Sequence, residues 1–189
     1  MRRLAVYCGA SAGADPAYAE TARALGEEMA RRGIGLVYGG GRLGLMGVVA
    51  DAVREAGGEA YGVIPRALID LEVAHTGLTE LHVVDTMHER KALMTDLADA
   101  FVCLPGGIGT FDELFEAWSW NALGYHAKPF CLLNVSGFWN ELCSFLDGVT
   151  ENGFMSPARR AQLLVADEIG DAIDKLDAAI EVAERKMVW

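Results

Sequence analysis

Long apolar runs are absent from this sequence. No stretch approaches the ~20 consecutive apolar residues of a membrane-spanning helix, so no membrane anchor of that kind is expected. The basic start, Met1-Arg2-Arg3, leads into an apolar run that Gly9, Gly13 and Asp15 interrupt too early for a secretory signal. A first strand and a cytoplasmic location are expected instead. Positive charge is scarce: 16 Lys and Arg stand against 27 Asp and Glu, a formal net charge of −11. A chain this acidic repels a phosphate backbone, which argues against a nucleic-acid partner. A small anion still responds to local patches such as Arg90-Lys91.

Cysteine and histidine are sparse and unpatterned. Cys8, Cys103, Cys131 and Cys143 form no C-x-x-C pair, which speaks against a zinc ribbon, a dithiol redox motif or a disulfide framework. Cys103 precedes a glycine loop and could be read as a nucleophile. Its apolar run, like those of Cys8 and Cys131, favours a buried structural thiol. His75, His82, His88 and His126 show no H-E-x-x-H or paired spacing, so no protein-ligated metal is expected. The absence of G-K-[ST] excludes a P-loop.

What the chain does have is 52% apolar residues and 22 glycines in 189 positions, enough for one packed domain spanning 1–189. Short apolar runs at 4–8, 34–38, 60–64, 81–84, 100–104, 130–135 and 163–165 read as strands. Amphipathic stretches at 16–32, 45–56, 87–98, 110–123, 137–150 and 169–185 read as helices. Nearly all-apolar strands imply burial on both faces. The expected fold is therefore α/β: a Rossmann-like, doubly wound parallel sheet with helices on both faces. Ligands in such folds bind beyond the carboxyl ends of the strands. Candidate contacts include Ser11 after the first strand, Gly39, Gly40 and Gly41 after the second, and the loop at Pro105. Residues 66–80 are the least regular and are expected to form a loop or short helices over the site.

The run at 100–104 enters Pro105-Gly106-Gly107-Ile108-Gly109-Thr110, and a helix follows. Glycines let a backbone approach a ligand closely, and the N–H groups of a helix start favour a phosphate. The alternative is a tight turn with no ligand. Thr110-Phe111-Asp112-Glu113 also reads as a capping box, with Glu113 reaching back to Thr110, so a cap and a catalytic carboxylate both remain open for Glu113. Glu116 and Ser119 follow at intervals of three and can share its helix face.

A second cluster, Gly39-Gly40-Gly41-Arg42-Leu43-Gly44, matches G-x-G-x-x-G. A dinucleotide site expects that fingerprint after the first strand and an acidic residue ending the next. Here it follows the second strand, and the third ends Val63-Ile64-Pro65, so a nicotinamide cofactor is disfavoured. Asp85-Thr86-Met87-His88-Glu89-Arg90-Lys91 opens another helix, with Thr86 and Glu89 spaced as a capping box. It is either a solvated, charged helix start or a place from which Arg90 turns its guanidinium fork towards a phosphate or carboxylate.

Taken together these residues resemble the LOG family, named for the Lonely Guy cytokinin-activating enzymes. Its P-G-G-x-G-T-x-x-E motif is matched by Pro105 to Glu113 and its M-x-x-R-K motif by Met87 to Lys91. Its Y-G-G-G-x-x-G-L-M-G is matched from Tyr38 to Gly47, and its C-G-S-S in near form by Cys8-Gly9-Ala10-Ser11. The resemblance implies a phosphoribohydrolase that needs no cofactor and takes a nucleoside 5′-monophosphate of an adenine-type base. It implies an essential pair at Arg90 and Glu113, and substrate contacts at Glu72, Arg90, Lys91, the run Gly107 to Glu113 (including Ile108, Gly109, Thr110, Phe111 and Asp112), and Ser119, where the family usually has threonine. Gly106 belongs to the same loop. Ala10 in place of serine is the other departure.

The residue types suit the reaction. Glycosidic cleavage passes through an oxocarbenium-like state that a carboxylate can stabilise while orienting water. Glu113 takes that role, with Arg90 positioning ribose or phosphate, and Glu116 or Glu72 holding ribose hydroxyls. Molybdenum-cofactor carriers also use a P-G-G-x-G-T turn, and they bind a phosphorylated pterin without hydrolysis; the intact Arg90 and Glu113 pair favours the enzyme. High apolar content, four tryptophans and the resemblance further imply a homodimer burying the helix face at 118–123.

Overall fold

Along the first strand, β1 (Arg3–Tyr7), Leu4 and Val6 enter one core while Ala5 and Tyr7 enter another. Successive side chains of a strand point to opposite faces, so a strand apolar throughout must be covered on both. The computed structural model describes residues 1–187 apart from Asp70 and Glu72 and shows this arrangement across the sheet.

The chain runs β1, α1 (Pro16–Arg31), β2 (Gly35–Tyr38), α2 (Gly44–Glu55), β3 (Ala60–Pro65), β4 (Glu80–Val84), α3 (Met87–Leu97) and β5 (Ala100–Cys103). It continues through α4 (Ile108–Ala122), β6 (Phe130–Leu133), α5 (Asn140–Glu151), the short α6 (Pro157–Arg160), β7 (Leu163–Ala166) and α7 (Ile169–Met187). The seven strands lie in the order β4-β3-β2-β1-β5-β6-β7. Every pairing is parallel. The expected Rossmann-like α/β fold is the observed one, with α1, α2 and α7 on one face and α3, α4 and α5 on the other. Leu25, Val49 and Ile173 fill the first core; Met94, Leu114 and Trp139 fill the second. Removing each such side chain from water contributes about 1.5–3 kcal/mol, which is what holds the helices to the sheet. No helix among the described residues is long and apolar enough to cross a membrane.

Local chemistry sets the helix ends. Asp15 accepts the Ala17 N–H at 2.9 Å and Pro16 sits in the first turn, so α1 starts there. The helix expected over 137–150 begins instead at Asn140. Ser136 and Gly137 take positive φ, which breaks the path into a 3₁₀ turn at Val135–Gly137. The helix expected from Thr110 begins two residues earlier, at Ile108.

This topology fixes where a ligand can sit. From β1 the chain winds outward through β2, β3 and β4, then crosses to β5 on the other flank of β1. The loops after β1 and β5 therefore part above their carboxyl ends, at the switch point of the sheet. Gly9 N–H donates to the Pro105 carbonyl at 3.1 Å, and Leu45 N–H donates to the Gly9 carbonyl at 3.0 Å, tying these loops and the start of α2 together.

Candidate active site

A cleft of about 440 Å³ opens at that switch point. Its floor is Gly9, Ala10 and Ser11 from the β1 loop, and one wall is the start of α4, with Gly107, Ile108, Gly109, Thr110, Asp112 and Glu113. Arg90 and Met87 of α3 face it, with Met46 of α2 and Leu68 from the 3₁₀ turn at Arg66–Leu68. A smaller hollow of about 230 Å³ adjoins it across Ser11 and Gly107, reaching Gly106, Tyr18 and Phe138.

The start of α4 has the chemistry to receive an anion. Gly107 is the cap residue and offers no side-chain bond, and the first helical bond runs from Phe111 N–H to Gly107 O at 3.1 Å. The N–H groups of Ile108, Gly109 and Thr110 precede that bond and lie at the positive end of the helix dipole. A methyl group added at Gly107 or Gly109 would meet nothing within 4 Å, so the packing of the chain does not demand glycine at either place. Gly106 differs: a side chain there would strike Thr110 and the Gly9 backbone.

Because α4 starts at Ile108, Thr110 is a buried residue of the first turn rather than its cap, and Glu113 lies in the following turn. The capping-box reading of Glu113 is thus corrected: the helix has already closed its start at Gly107. The box expected at α3 is formed. Thr86 accepts Glu89 N–H at 3.1 Å while the Glu89 carboxylate accepts Thr86 N–H at 3.3 Å.

That box directs Arg90 inward. The residue is only 3% exposed, and its Nε–H donates to the Val63 carbonyl at 3.1 Å while Nη2 donates to the Gly39 carbonyl at 2.8 Å. Two carbonyls from two strand ends hold the plane of the guanidinium, and Nη1 lies 3.8 Å from the Met87 sulfur. A buried cation with a fixed plane is a preorganised source of positive potential. On the other side, the Glu113 carboxylate is felt by its neighbours. Burial, then Glu113, pushes the thiols of Cys8 and Cys103 well above the ordinary range. Both stay protonated, which makes them packing residues rather than nucleophiles.

The remaining expected residues are dispersed. Lys91 turns aside from the cleft, its Nζ 2.9 Å from Asp112 and 2.6 Å from Glu116. Burial pulls its pKa down, but hydrogen bonds to Glu116 and Asp112 outweigh this and raise it. Gly39, Gly40 and Gly41 stand behind Arg90 rather than in the cleft wall, and Phe111 packs edge-on against Trp139 at 5.9 Å. Ser119 is exposed on α4, outside the lining of the cleft. Glu72 lies outside the described residues. The structure adds Met46, Leu68 and Met87 as an apolar wall that sequence reasoning did not assign. Met87 opens the M-x-x-R-K motif and Met46 lies in the motif from Tyr38 to Gly47, signals that were present; nothing in the local sequence marks Leu68 as facing a ligand.

Comparison with known proteins gives three findings. Residues 46–176 match a family model described as possible lysine decarboxylase. A cytokinin riboside 5′-monophosphate phosphoribohydrolase of Rhodococcoides fascians is 46% identical over 91% of this chain and 87% of its own length; the rice enzyme LOG is 44% identical over 100% and 78%. Among solved structures, the molybdenum cofactor carrier protein of Chlamydomonas reinhardtii superposes with a TM-score of 0.71 over 95% of this chain and 98% of that one, at 20% identity, which speaks to the fold alone.

Proposed function

Given that this chain belongs to the LOG family of phosphoribohydrolases, we propose that it hydrolyses the N-glycosidic bond of a purine nucleoside 5′-monophosphate. The base is adenine or an N6-modified adenine, and the products are free base and ribose 5-monophosphate. The observation that carries the reading is a conjunction: Arg90, Glu113 and the open start of α4 line one cleft.

The 5′-phosphate sits on the N–H groups of Ile108, Gly109 and Thr110, in the space left by Gly107 and Gly109. That anchor brings C1′ towards Glu113. As the C1′–N9 bond breaks, positive charge grows on the ribose ring, and the carboxylate stabilises it while orienting a water whose oxygen bonds to C1′. One proton of that water leaves with the base and the hydroxyl remains on the sugar. Arg90 fixes the nucleotide against Glu113 and favours departure of the electron-rich base; its held plane means that little reorganisation accompanies the step. The apolar wall of Met46, Leu68 and Met87 borders the room left for the base.

Pyridoxal chemistry, which the family model's description would imply, does not fit the lysines. A Schiff-base lysine must face the cleft. Among the described residues Lys91 is turned to Asp112 and Glu116, Lys128 to the Thr95 carbonyl and Lys175 to Asp171. The likeness to cofactor carriers, at 20–22% identity, extends to the fold alone, so the carrier reading is not favoured.

We take residues 1–189 as one nucleotide-binding domain acting in the cytoplasm as a homodimer. Leu123 and Tyr125, 70% and 78% exposed at the end of α4, offer an apolar surface. Trp118 is already covered within the chain, so the shared face excludes it. Incubating the purified protein with AMP and, in parallel, with an N6-prenylated AMP and separating the products tests the central reading: free base and ribose 5-phosphate are expected, and both nucleotides remaining intact would refute it.

A further inference from the structure

Outside the cleft lies a polar cluster around one buried histidine that the reaction does not use. His75 is 3% exposed, on the segment between β3 and β4. Its Nε2 lies 3.0 Å from the Asp51 carboxylate on α2, and its Nδ1 lies 2.8 Å from the Thr76 carbonyl. Both partners are oxygens, so each ring nitrogen has a polar neighbour on a different element. The Arg54 guanidinium stands 4.0 Å from Asp51 and covers Gly77, and Tyr38 of β2 places its ring in the same corner, within electrostatic reach of Asp51 and Arg54. A leucine would fill such a place without the cost of burying polar groups. The polar clamp sets a position rather than adding bulk.

What it sets is visible in the backbone. His75 N–H donates to the Gly40 carbonyl at 2.9 Å, Arg42 N–H donates to the Val73 carbonyl at 3.0 Å, and Gly41 bridges Ala74. Val73, β-branched, is held there at a φ of 49°, a conformation that persists only where surrounding contacts impose it. The neighbouring carbonyl in the same turn, that of Gly39, is the one that receives Arg90 Nη2. A side chain at Gly39 would strike the guanidinium, so turn and arginine are in close register. The His75 backbone N–H and the Arg90 guanidinium therefore hold adjacent carbonyls of one glycine turn.

We infer that His75, clamped by Asp51, is a positioning residue that fixes the Gly39–Gly40 turn and through it the plane of Arg90. The inference rests on Arg90 serving the hydrolase proposed above. It predicts that loss of the clamp lowers kcat on AMP by about 10–50-fold, with KM changing less than about threefold, because the phosphate anchor on α4 is untouched.

The experiment uses His75→Leu, His75→Gln and, because the buried change risks misfolding, Asp51→Ala at a more exposed position. Turnover is measured well below each melting temperature. Exchange of the Arg90 Nε proton is followed by ¹⁵N NMR beside the backbone amides of β1 and β5, so that opening local to Arg90 is separated from global unfolding. The expected result is exchange at least ~10-fold faster in H75L and D51A, with kcat falling in parallel. H75Q, whose amide reaches where Nε2 was, should recover both to within about threefold. Unchanged Arg90 exchange in H75L and D51A overturns the inference, and so does H75Q behaving like H75L. Wild-type protein that released no base from AMP or from an N6-prenylated AMP would end the hydrolase reading alone, since the Arg90 exchange test does not depend on turnover.

Discussion

Nη2 of Arg90 rests 2.8 Å from the carbonyl of Gly39, a residue 51 positions earlier in the chain. The pair joins two motifs that are remote in sequence, the glycine cluster after β2 and the charged start of α3, and shows that the first serves the second. Gly39 is a glycine because a side chain there would occupy the place of the guanidinium.

Glycines of the two clusters should respond differently to alanine. Gly39→Ala displaces Arg90 and should lower kcat by at least ~100-fold, with a stability loss of about 1–3 kcal/mol from overpacking. Gly107→Ala and Gly109→Ala meet no atom of the chain and should keep the melting temperature within about 2 °C. Each should raise KM for AMP by at least ~10-fold by filling phosphate space. Thermal melts beside steady-state kinetics on the three variants separate the two behaviours.

Glu113→Gln keeps the shape of the side chain and removes its charge. The start of α4 closes at Gly107, so the helix should still form in the variant, while turnover falls by at least ~100-fold. Near-normal turnover in a well-folded variant would transfer the catalytic role to another group.

In the proposed reaction the 5′-phosphate should govern turnover as well as affinity, because its binding would orient the ribose against Glu113. AMP should be hydrolysed at least ~100-fold more efficiently than adenosine, about 2.7 kcal/mol. NAD should be poor, its pyrophosphate continuing where the helix start receives a terminal group. Comparable kcat/KM for AMP and adenosine would reduce the loop at Gly107 to a turn.

His126 should make the protein acid-sensitive away from the cleft. Its Nε2 lies 3.0 Å from the Ala117 carbonyl and its Nδ1 lies 3.2 Å from Lys128 N–H, so the ring is satisfied when neutral. Burial is the main cause that lowers its pKa below the ordinary imidazole value of 6.5. The unfolded chain then binds the proton first. The contribution is complete above about pH 6.5 and is lost as pH falls through the depressed folded value. Urea midpoints should drop between pH 7.5 and 5 in the wild type and drop less in His126→Gln.

Light scattering at micromolar concentration should return about twice the 20.3 kDa chain mass. Leu123→Lys, placed on the apolar end of α4, should shift the population towards monomer without lowering the melting temperature of the monomeric fold. A wild-type monomer would remove the assembly proposed here.

The sequence by itself determined the fold class, the expectation of a site beyond the carboxyl ends of the strands, and the two motifs. Apolar runs too short for helices, alternating with amphipathic stretches, admit little besides a covered parallel sheet, because the period of two and the period of 3.6 are local properties of the backbone. The loop at Pro105 and the charged start of α3 were legible for the same reason. Only the tertiary structure decided which of the marked residues meet. Local spacing made Thr110 and Glu113 a capping box, yet the helix closes at Gly107 and leaves Glu113 to the cleft. Lys91, adjacent to Arg90 in sequence, faces Asp112 and Glu116 instead, since neighbours on a helix point about 100° apart. Leu68 and Met46 reach the cleft, and His75 reaches the glycine turn behind Arg90, through contacts between elements far apart in the chain. Such contacts depend on how the parallel crossovers fold over the sheet, a long-range arrangement that no window of sequence encodes.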